Sequence, residues 1–303
     1  QYYASLPAFS PEPRIALKYN VNEAIRLKAA AGVYSQNFIS TKSDQDVVNL
    51  FTGFLTAPDD GLEGVDGKEA PNNLQRAYQG VFGVEADVTR FLNLTVEPYY
   101  KYFGQLININ RSKVLPEDPD FEIETGKAYG IDFLAKYDYK NFYLWVAYSL
   151  GYVTRNNGEQ EYPPHFDRRH NLNIVATYTW GKDKSWEIDA RFNFGSGFPF
   201  TLTQGFYEQV NFLDGINTNY TTQNGQLGIV YDSTLNAGRL PYYHRFDLAA
   251  KKKFQISQNS ELEITASVIN VYNRENIFYF DRVTYKRVNQ LPILPSIGAS
   301  LTF

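Results

Sequence analysis

Charged residues of both signs recur along this chain at every second position, inside segments that are otherwise apolar and aromatic. They include Arg14, Lys18, Arg26, Lys28, Glu85, Asp87, Glu97, Lys101, Asp132, Lys136, Asp189, Arg191, Arg245, Asp247 and Lys251. A spacing of two places such residues on one face of an extended strand. Two chemistries fit a face of mixed sign. One is recognition, with carboxylates and guanidinium groups bonding a polar partner laid against them or paving a path for a solute. The other is simple tolerance of charge by a wet surface. Mixed signs at similar heights favour mutual pairing and contact with a partner, because charges buried unpaired are costly.

Other groups are weaker candidates for chemistry. Residues 38–74 carry Asp44, Asp46, Asp59, Asp60, Glu63, Asp66 and Glu69 against Lys42 and Lys68, and residues 108–124 add five more carboxylates. Carboxylate oxygens suit hard cations, yet no calcium-loop spacing is present, so surface solvation is the preferred reading and a metal site is not expected. The segment 199–239 contains Tyr207, Phe212, Asp214, Tyr220 and Tyr231 among Asn, Thr and Gly. Such residues stack on and hydrogen-bond a small molecule, and they are equally the makeup of an ordinary long loop. The three histidines are His165, His170 and His244. His165 and His170, five apart on a strand, would face opposite sides, which disfavours a metal pair; His244 is better placed to cap a ring of aromatic side chains. Ser196 sits between two glycines without a histidine and acid assigned to it, so no catalytic set is expected and no cofactor is implied.

The elements that must hold these residues follow from period-two alternation. Trp186, Ile188, Ala190, Phe192 and Phe194 oppose Glu187, Asp189, Arg191 and Asn193, and Leu262, Ile264, Ala266 and Val268 oppose Glu261, Glu263, Thr265 and Ser267. The same pattern covers 129–138, 171–180, 245–254 and 291–303. Strands of about 9 to 14 residues exceed the usual soluble length and reach across lipid at a tilt. Connections alternate strictly: tight turns at 20–23, 89–93, 138–141, 181–185 and 255–260, and long segments at 38–74, 108–124, 155–167, 199–239 and 275–290. Short turns on one side and long loops on the other are the outer-membrane pattern. Tyr19, Phe91, Tyr139, Phe142, Trp180, Trp186 and Phe254 flank the short turns, where an inner aromatic girdle would lie. At Asn270 the alternation slips, which predicts a β-bulge or a strand rising above the membrane.

Composition agrees. The 303 residues hold 24 Tyr and 22 Phe, 16% aromatic in all, with no Cys and no Met. Missing cysteine removes disulfides and thiolate chemistry. A net charge of −4 without a basic cluster disfavours nucleic acid as a partner. No stretch approaches the ~20 apolar residues of a spanning helix, so any crossing of a membrane is by strands. The expectation is an all-β, transmembrane antiparallel β-barrel wall of about eleven strands, beginning near Glu12 and ending at Phe303. Eleven does not close a barrel evenly, and with no initiating Met and no signal peptide the chain reads as half of a 22-stranded plugged barrel.

Several stretches carry a resemblance. Residues 238–248 (GRLPYYHRFDL), 270–276 (NVYNREN) and 291–298 (LPILPSIG), with the terminal Phe303, resemble the closing strands of TonB-dependent outer-membrane receptors. Residues 10–14 (SPEPR), 32–36 (GVYSQ), 165–170 (HFDRRH) and 195–199 (GSGFP) look like landmarks of the same family, so the likeness spans essentially all of residues 1–303. It is strongest to the Bacteroidota type that carries a small carboxypeptidase-like regulatory domain before the plug. The resemblance implies the bacterial outer membrane, and uptake of a scarce solute such as a metal chelate or other small organic nutrient. It also implies a plug domain and a TonB box upstream, coupling to the TonB energy transducer, and recognition of Phe303 by the barrel-assembly machinery. Lipid and lipopolysaccharide would surround the wall, and no enzymatic activity is expected. The alternative is a passive pore or assembly barrel without TonB coupling.

Overall fold

The structure is a computed structural model, and it describes residues 2–3, 8–40, 55–56, 62, 70, 72–110, 119–209, 226–257 and 259–303. Eleven antiparallel strands form one continuous wall: β1 (Arg14–Asn20), β2 (Ile25–Gln36), β3 (Gln75–Thr89), β4 (Leu92–Ile109), β5 (Phe121–Tyr139), β6 (Phe142–Asn156), β7 (His170–Trp180), β8 (Trp186–Gly195), β9 (Tyr243–Ser257), β10 (Ser260–Ile269) and β11 (Leu294–Thr302). Each strand pairs with its sequence neighbours, the topology of an up-and-down barrel wall. Among the described residues β1 and β11 pair on one side only, leaving two open edges.

The five tight turns lie where alternation stops and turn-forming side chains begin. The Asn22 side-chain oxygen accepts from the backbone N–H groups of Ala24 and Ile25, and the Thr89 hydroxyl accepts from those of Phe91 and Leu92. These side chains bond backbone groups that the ladder leaves open. At the other end, the two central strands reach 18 and 19 residues, longer than the alternation alone indicates. The last residues of the first and the opening residues of the second stand clear of the membrane belt and join the loop packing there. Asn270 is neither a bulge nor a strand residue. The strand ends at Ile269, and Asn270 turns the chain with φ of 55° while fully buried.

Register decides the faces. Trp180, Trp186 and Lys252 are neighbours across β7, β8 and β9, and the two indole rings stack 5.9 Å apart. Lys252 bends over the Trp186 ring at 4.8 Å and donates to the Ser185 hydroxyl, so its charge reaches the turn while its stem covers apolar surface. Phe91 with Tyr139, and Tyr137 with Phe142, continue this lower girdle. An upper row runs through Tyr78–Tyr102, Tyr129–Tyr152, Phe133–Tyr148 and His170. From Trp186 to Phe194 is a rise of roughly 20 Å, at about 3.3 Å per residue and a tilt of about 40°. Between the rows the outward side chains are exposed and apolar, among them Ile15, Leu17, Phe82, Ile188, Ile264, Ile297 and Leu301. In water such a belt would aggregate; in lipid it is the appropriate surface.

On the opposite face one bulky side chain bridges three strands. Tyr99 of β4 lies over Gly130 of β5 and Gly151 of β6, which pair with each other. A Cβ at Gly130 would stand 2.3 Å from the Leu150 carbonyl oxygen and 2.8 Å from the Tyr99 hydroxyl; one at Gly151 would stand 2.7 Å from that hydroxyl. Gly80, on the lipid side of β3, has nothing within 4 Å of the same position. Gly130→Val is expected to cost at least about 1–3 kcal/mol through overpacking, while Gly80→Val leaves stability unchanged. Urea titration of the full-length receptor, read by heat-modifiable gel mobility, checks the contrast.

Candidate functional site

The register brings the charged residues named from the sequence onto one face. Arg14 is on the row of Gly32, Gln79 and Lys101; Lys18 opposes Lys28; Arg26 opposes Glu85; Glu97 opposes Asp132; Lys136 opposes Asn93; Asp189 shares its face with Arg191, Asp247 and Arg245. Many of them pair along the wall. Arg26 reaches both Glu85, at 2.8 Å, and Asp87, at 2.7 Å, and Lys28 joins Glu85. Lys251 bridges Glu187, at 2.5 Å, and Asp189, at 2.9 Å, while Thr177 donates to Asp189. Arg245 pairs with Asp247 at 2.9 Å, two residues along the same strand. Ser149 donates to Asp132, and Lys101 lies 5.7 Å from the Tyr99 ring. Arg191 and Lys136 remain exposed on this face, with no hydrogen bond or ion pair to other described residues. The wall therefore compensates part of its own charge and leaves part available to whatever occupies its interior.

At the top of the wall the long connections are knotted by buried polar contacts. Asp167, 2% exposed at its side chain, accepts from Arg239 at 2.5 Å and from the Val153 backbone at 3.2 Å. Arg239 also donates to the backbone oxygens of Asp167 and Gly197. Gly197 passes against Leu240 so closely that a Cβ would stand 1.6 Å from its carbonyl oxygen. Buried Glu124 accepts from the Tyr162 hydroxyl at 2.5 Å, from Asn108 and from Arg155. Arg282 reaches from residues 270–293 to the Thr201 carbonyl oxygen at 2.6 Å and lies 5.0 Å from the Tyr231 ring. Asn270 receives the loop: its backbone donates to Asp247, and its side chain to the carbonyl oxygens of Arg274 and Leu291. At the other edge Glu12 accepts from the Ser35 backbone and hydroxyl, and Arg14 stacks 4.4 Å from the Tyr34 ring across Gly32.

The sequence landmarks are thus halves of joints. Residues 10–14 meet 32–36, residues 165–170 meet 195–199 and 238–240, and residues 270–276 meet 244–247 and 291–293. Sequence reading did not anticipate Asp167, Arg168 and Arg239 as residues that organise this end; the signal was a charge-dense segment, Asp167–Arg168–Arg169, in a loop bounded by two histidines. Of those histidines only His170 is on a strand, where it meets the Tyr148 hydroxyl at 2.8 Å, because the strand starts there; His165 precedes it in the loop. His244 meets the Tyr272 hydroxyl at 2.6 Å beside Phe192.

The loop candidates divide. Tyr207 is exposed on a hairpin formed by Thr203–Gln209 and Gln226–Tyr231, and Tyr231 closes the base of that hairpin beside Arg282. Phe212, Asp214 and Tyr220 lie outside the described residues, as do the carboxylates of residues 41–54, 57–61 and 63–69. Phe303 follows β11 and is 91% exposed.

With this geometry in place, the wall can be compared with known proteins. No family model and no curated protein matches the sequence. Solved structures do. The ferripyoverdine receptor FpvA of Pseudomonas aeruginosa aligns with a TM-score of 0.61 at 11% identity, over 96% of this chain and 32% of its own. The ferric citrate transporter FecA gives 0.58 at 13% identity, over 97% and 38%. BauA, the ferric preacinetobactin receptor of Acinetobacter baumannii, gives 0.56 at 12%, over 96% and 36%. This chain therefore has the fold of an outer-membrane receptor barrel wall, and it spans about a third of the length of the solved structures it matches.

Asp167→Asn removes the carboxylate that holds Arg239, and breaking a buried pair costs on the order of 3–5 kcal/mol locally. Limited trypsin digestion of the full-length receptor should then cut within residues 157–169 and 226–242 at least ten-fold faster, with the folded barrel band unchanged.

Proposed function

We propose that this chain is the C-terminal part of the barrel of a TonB-energised outer-membrane receptor that imports a scarce solute, a metal chelate in the first instance. The observation that carries this reading is the alignment of nearly the whole chain with about a third of receptors and transporters whose names specify ferripyoverdine, ferric citrate and ferric preacinetobactin. The physical form agrees. An eleven-stranded wall with two open edges needs further strands of the same receptor, because unpaired backbone groups are not tolerated in lipid. A polar inner face with partly uncompensated charge suits a plug of the same polypeptide. In this reading Arg14, Lys18, Arg26, Glu85, Asp87, Glu97, Lys101, Asp132, Lys136, Asp189, Arg191, Arg245 and Asp247 bond the plug or line the route the solute takes when the plug is displaced. Tyr207, Phe212, Asp214, Tyr220 and Tyr231 belong to the segment that meets solute from outside. Phe303 is the mark for the barrel-assembly machinery, and lipid and lipopolysaccharide cover the outer belt. The landmark stretches support the Bacteroidota type, with its regulatory domain ahead of the plug and TonB box.

Two measurements test the proposal. Accumulation of a radiolabelled ferric chelate by cells carrying the full-length receptor should fall to background when the TonB transducer is deleted; accumulation that continues unchanged would make the barrel a passive pore. Cysteines placed at Asp189 or Arg191 should crosslink to cysteines on the plug, and failure at every such pair would refute plug contact by this face.

A further inference from the structure

A cavity of about 960 Å³ lies among the top of β9 and residues 196–198, 240–242, 272–278 and 287–291. Four arginines line it: Arg168, Arg245, Arg274 and Arg287. One carboxylate, Glu275, lines it with them, and Arg287 already occupies that group. Arg168 makes no hydrogen bond or ion pair with the described residues. Its guanidinium is instead held by packing, 4.2 Å from the Phe198 ring and 5.5 Å from the Tyr243 ring, over Gly195, where a Cβ would stand 2.6 Å from Cζ. The Nε atoms of Arg168 and Arg274 are both buried without an acceptor among the described residues, while Nη2 of Arg274 donates to the Tyr242 carbonyl oxygen at 2.9 Å and Arg245 keeps its pair with Asp247. Burial lowers the Arg168 pKa from its ordinary value, although a guanidinium remains charged. A second cavity of about 660 Å³ continues from Arg168 and Arg245 down the inner face to Arg191, which has no partner among the described residues, with Asn171 and Asn193 between.

Holding unsatisfied guanidinium groups out of water is costly unless an acceptor completes them. Here the wall supplies shape and donors, and among the described residues it leaves the Arg168 guanidinium and the Arg274 Nε without acceptors. Arginine's planar fork matches the paired oxygens of carboxylate and phosphate. From this arrangement we infer that the cavity is a binding site for an oxyanion-bearing solute, engaged by Arg168 and Arg274 at the exterior end with Arg191 and Arg245 deeper in the wall. The inference rests on the import reading and specifies its cargo as an anion, above all a chelate with carboxylate arms. A site of this kind concentrates anions at the mouth of a chain whose net charge is negative.

The test is calorimetric titration of purified full-length receptor with citrate and, separately, with inorganic phosphate. Citrate is expected to bind, with phosphate weaker, and binding should weaken as salt is raised. Arg168→Gln and Arg274→Gln should each lower citrate affinity about ten-fold or more, while Lys127→Gln on the outer face leaves it unchanged. Arg274→Gln keeps the experiment decisive if Arg168→Gln fails to fold. The inference is overturned if wild type binds neither anion at millimolar concentration, or if both arginine variants bind citrate as wild type does. It also falls if phosphate alone binds and the variants do not alter it, since that marks an unrelated surface site. TonB-dependent uptake that persists alongside any of these results leaves the import reading standing and removes the anion site alone.

Discussion

A backbone crossing lipid has no water to bond to, so each N–H and C=O must find a protein partner. That constraint accounts for more of this chain than any single side chain does. It explains why each wall strand pairs with its sequence neighbours through an antiparallel ladder, and why alternation runs so cleanly along the strands. One side of each strand meets hydrocarbon and the other a polar interior, and a slip of one residue would exchange the two. Side chains then adjust to the faces. Aromatic rings take the two interfaces, Lys252 bends toward the turn, and Tyr99 lies over two glycines, of which Gly130 cannot be replaced without moving the ladder.

Above the belt the rules change, because the loops leave the ladder and must satisfy their polar groups otherwise. They do so with a few buried charges. Asp167 joins Arg239 over 72 positions of sequence, Arg282 reaches the Thr201 carbonyl oxygen over 81, and Glu124 is completed by residues from three segments. These contacts give the exterior end defined walls and so create the cavities there. The interior charges form a second, partly closed system. Arg26 with Glu85 and Asp87, and Lys251 with Glu187 and Asp189, offset one another, whereas Arg168 and Arg191 do not. The face is therefore poised toward negative groups near its exterior end.

Strand number, order, turns and the facing of charged residues were legible because each depends on local rules: a period of two, turn-forming Asn22 and Thr89, and aromatic residues beside short turns. Register carried every charged candidate to one face for the same reason. Asn270 shows where local reading stops. The slip was visible, but its cause is a turn whose partners, Asp247 and Leu291, lie some twenty residues away on either side. The joint of Asp167, Arg239 and Gly197 was opaque for a stronger version of this reason, since irregular segments have no period from which to project a contact. Arg168 stood in the sequence only as part of the 165–170 stretch. Its significance lies in what it lacks, an acceptor, and only packing against Gly195, Phe198 and Tyr243 makes that apparent.

The central claim is that this wall stands in a membrane with its alternating faces divided between lipid and interior. Spin labels placed singly from Trp186 to Gly195 of the full-length receptor, reconstituted in lipid vesicles, test it most directly through their relaxation by oxygen, which partitions into lipid. The account requires a period of two, with high oxygen accessibility at positions 188, 190 and 192 and low accessibility at 187, 189, 191 and 193. Uniform accessibility along the strand, or high oxygen accessibility at the charged positions, would contradict it.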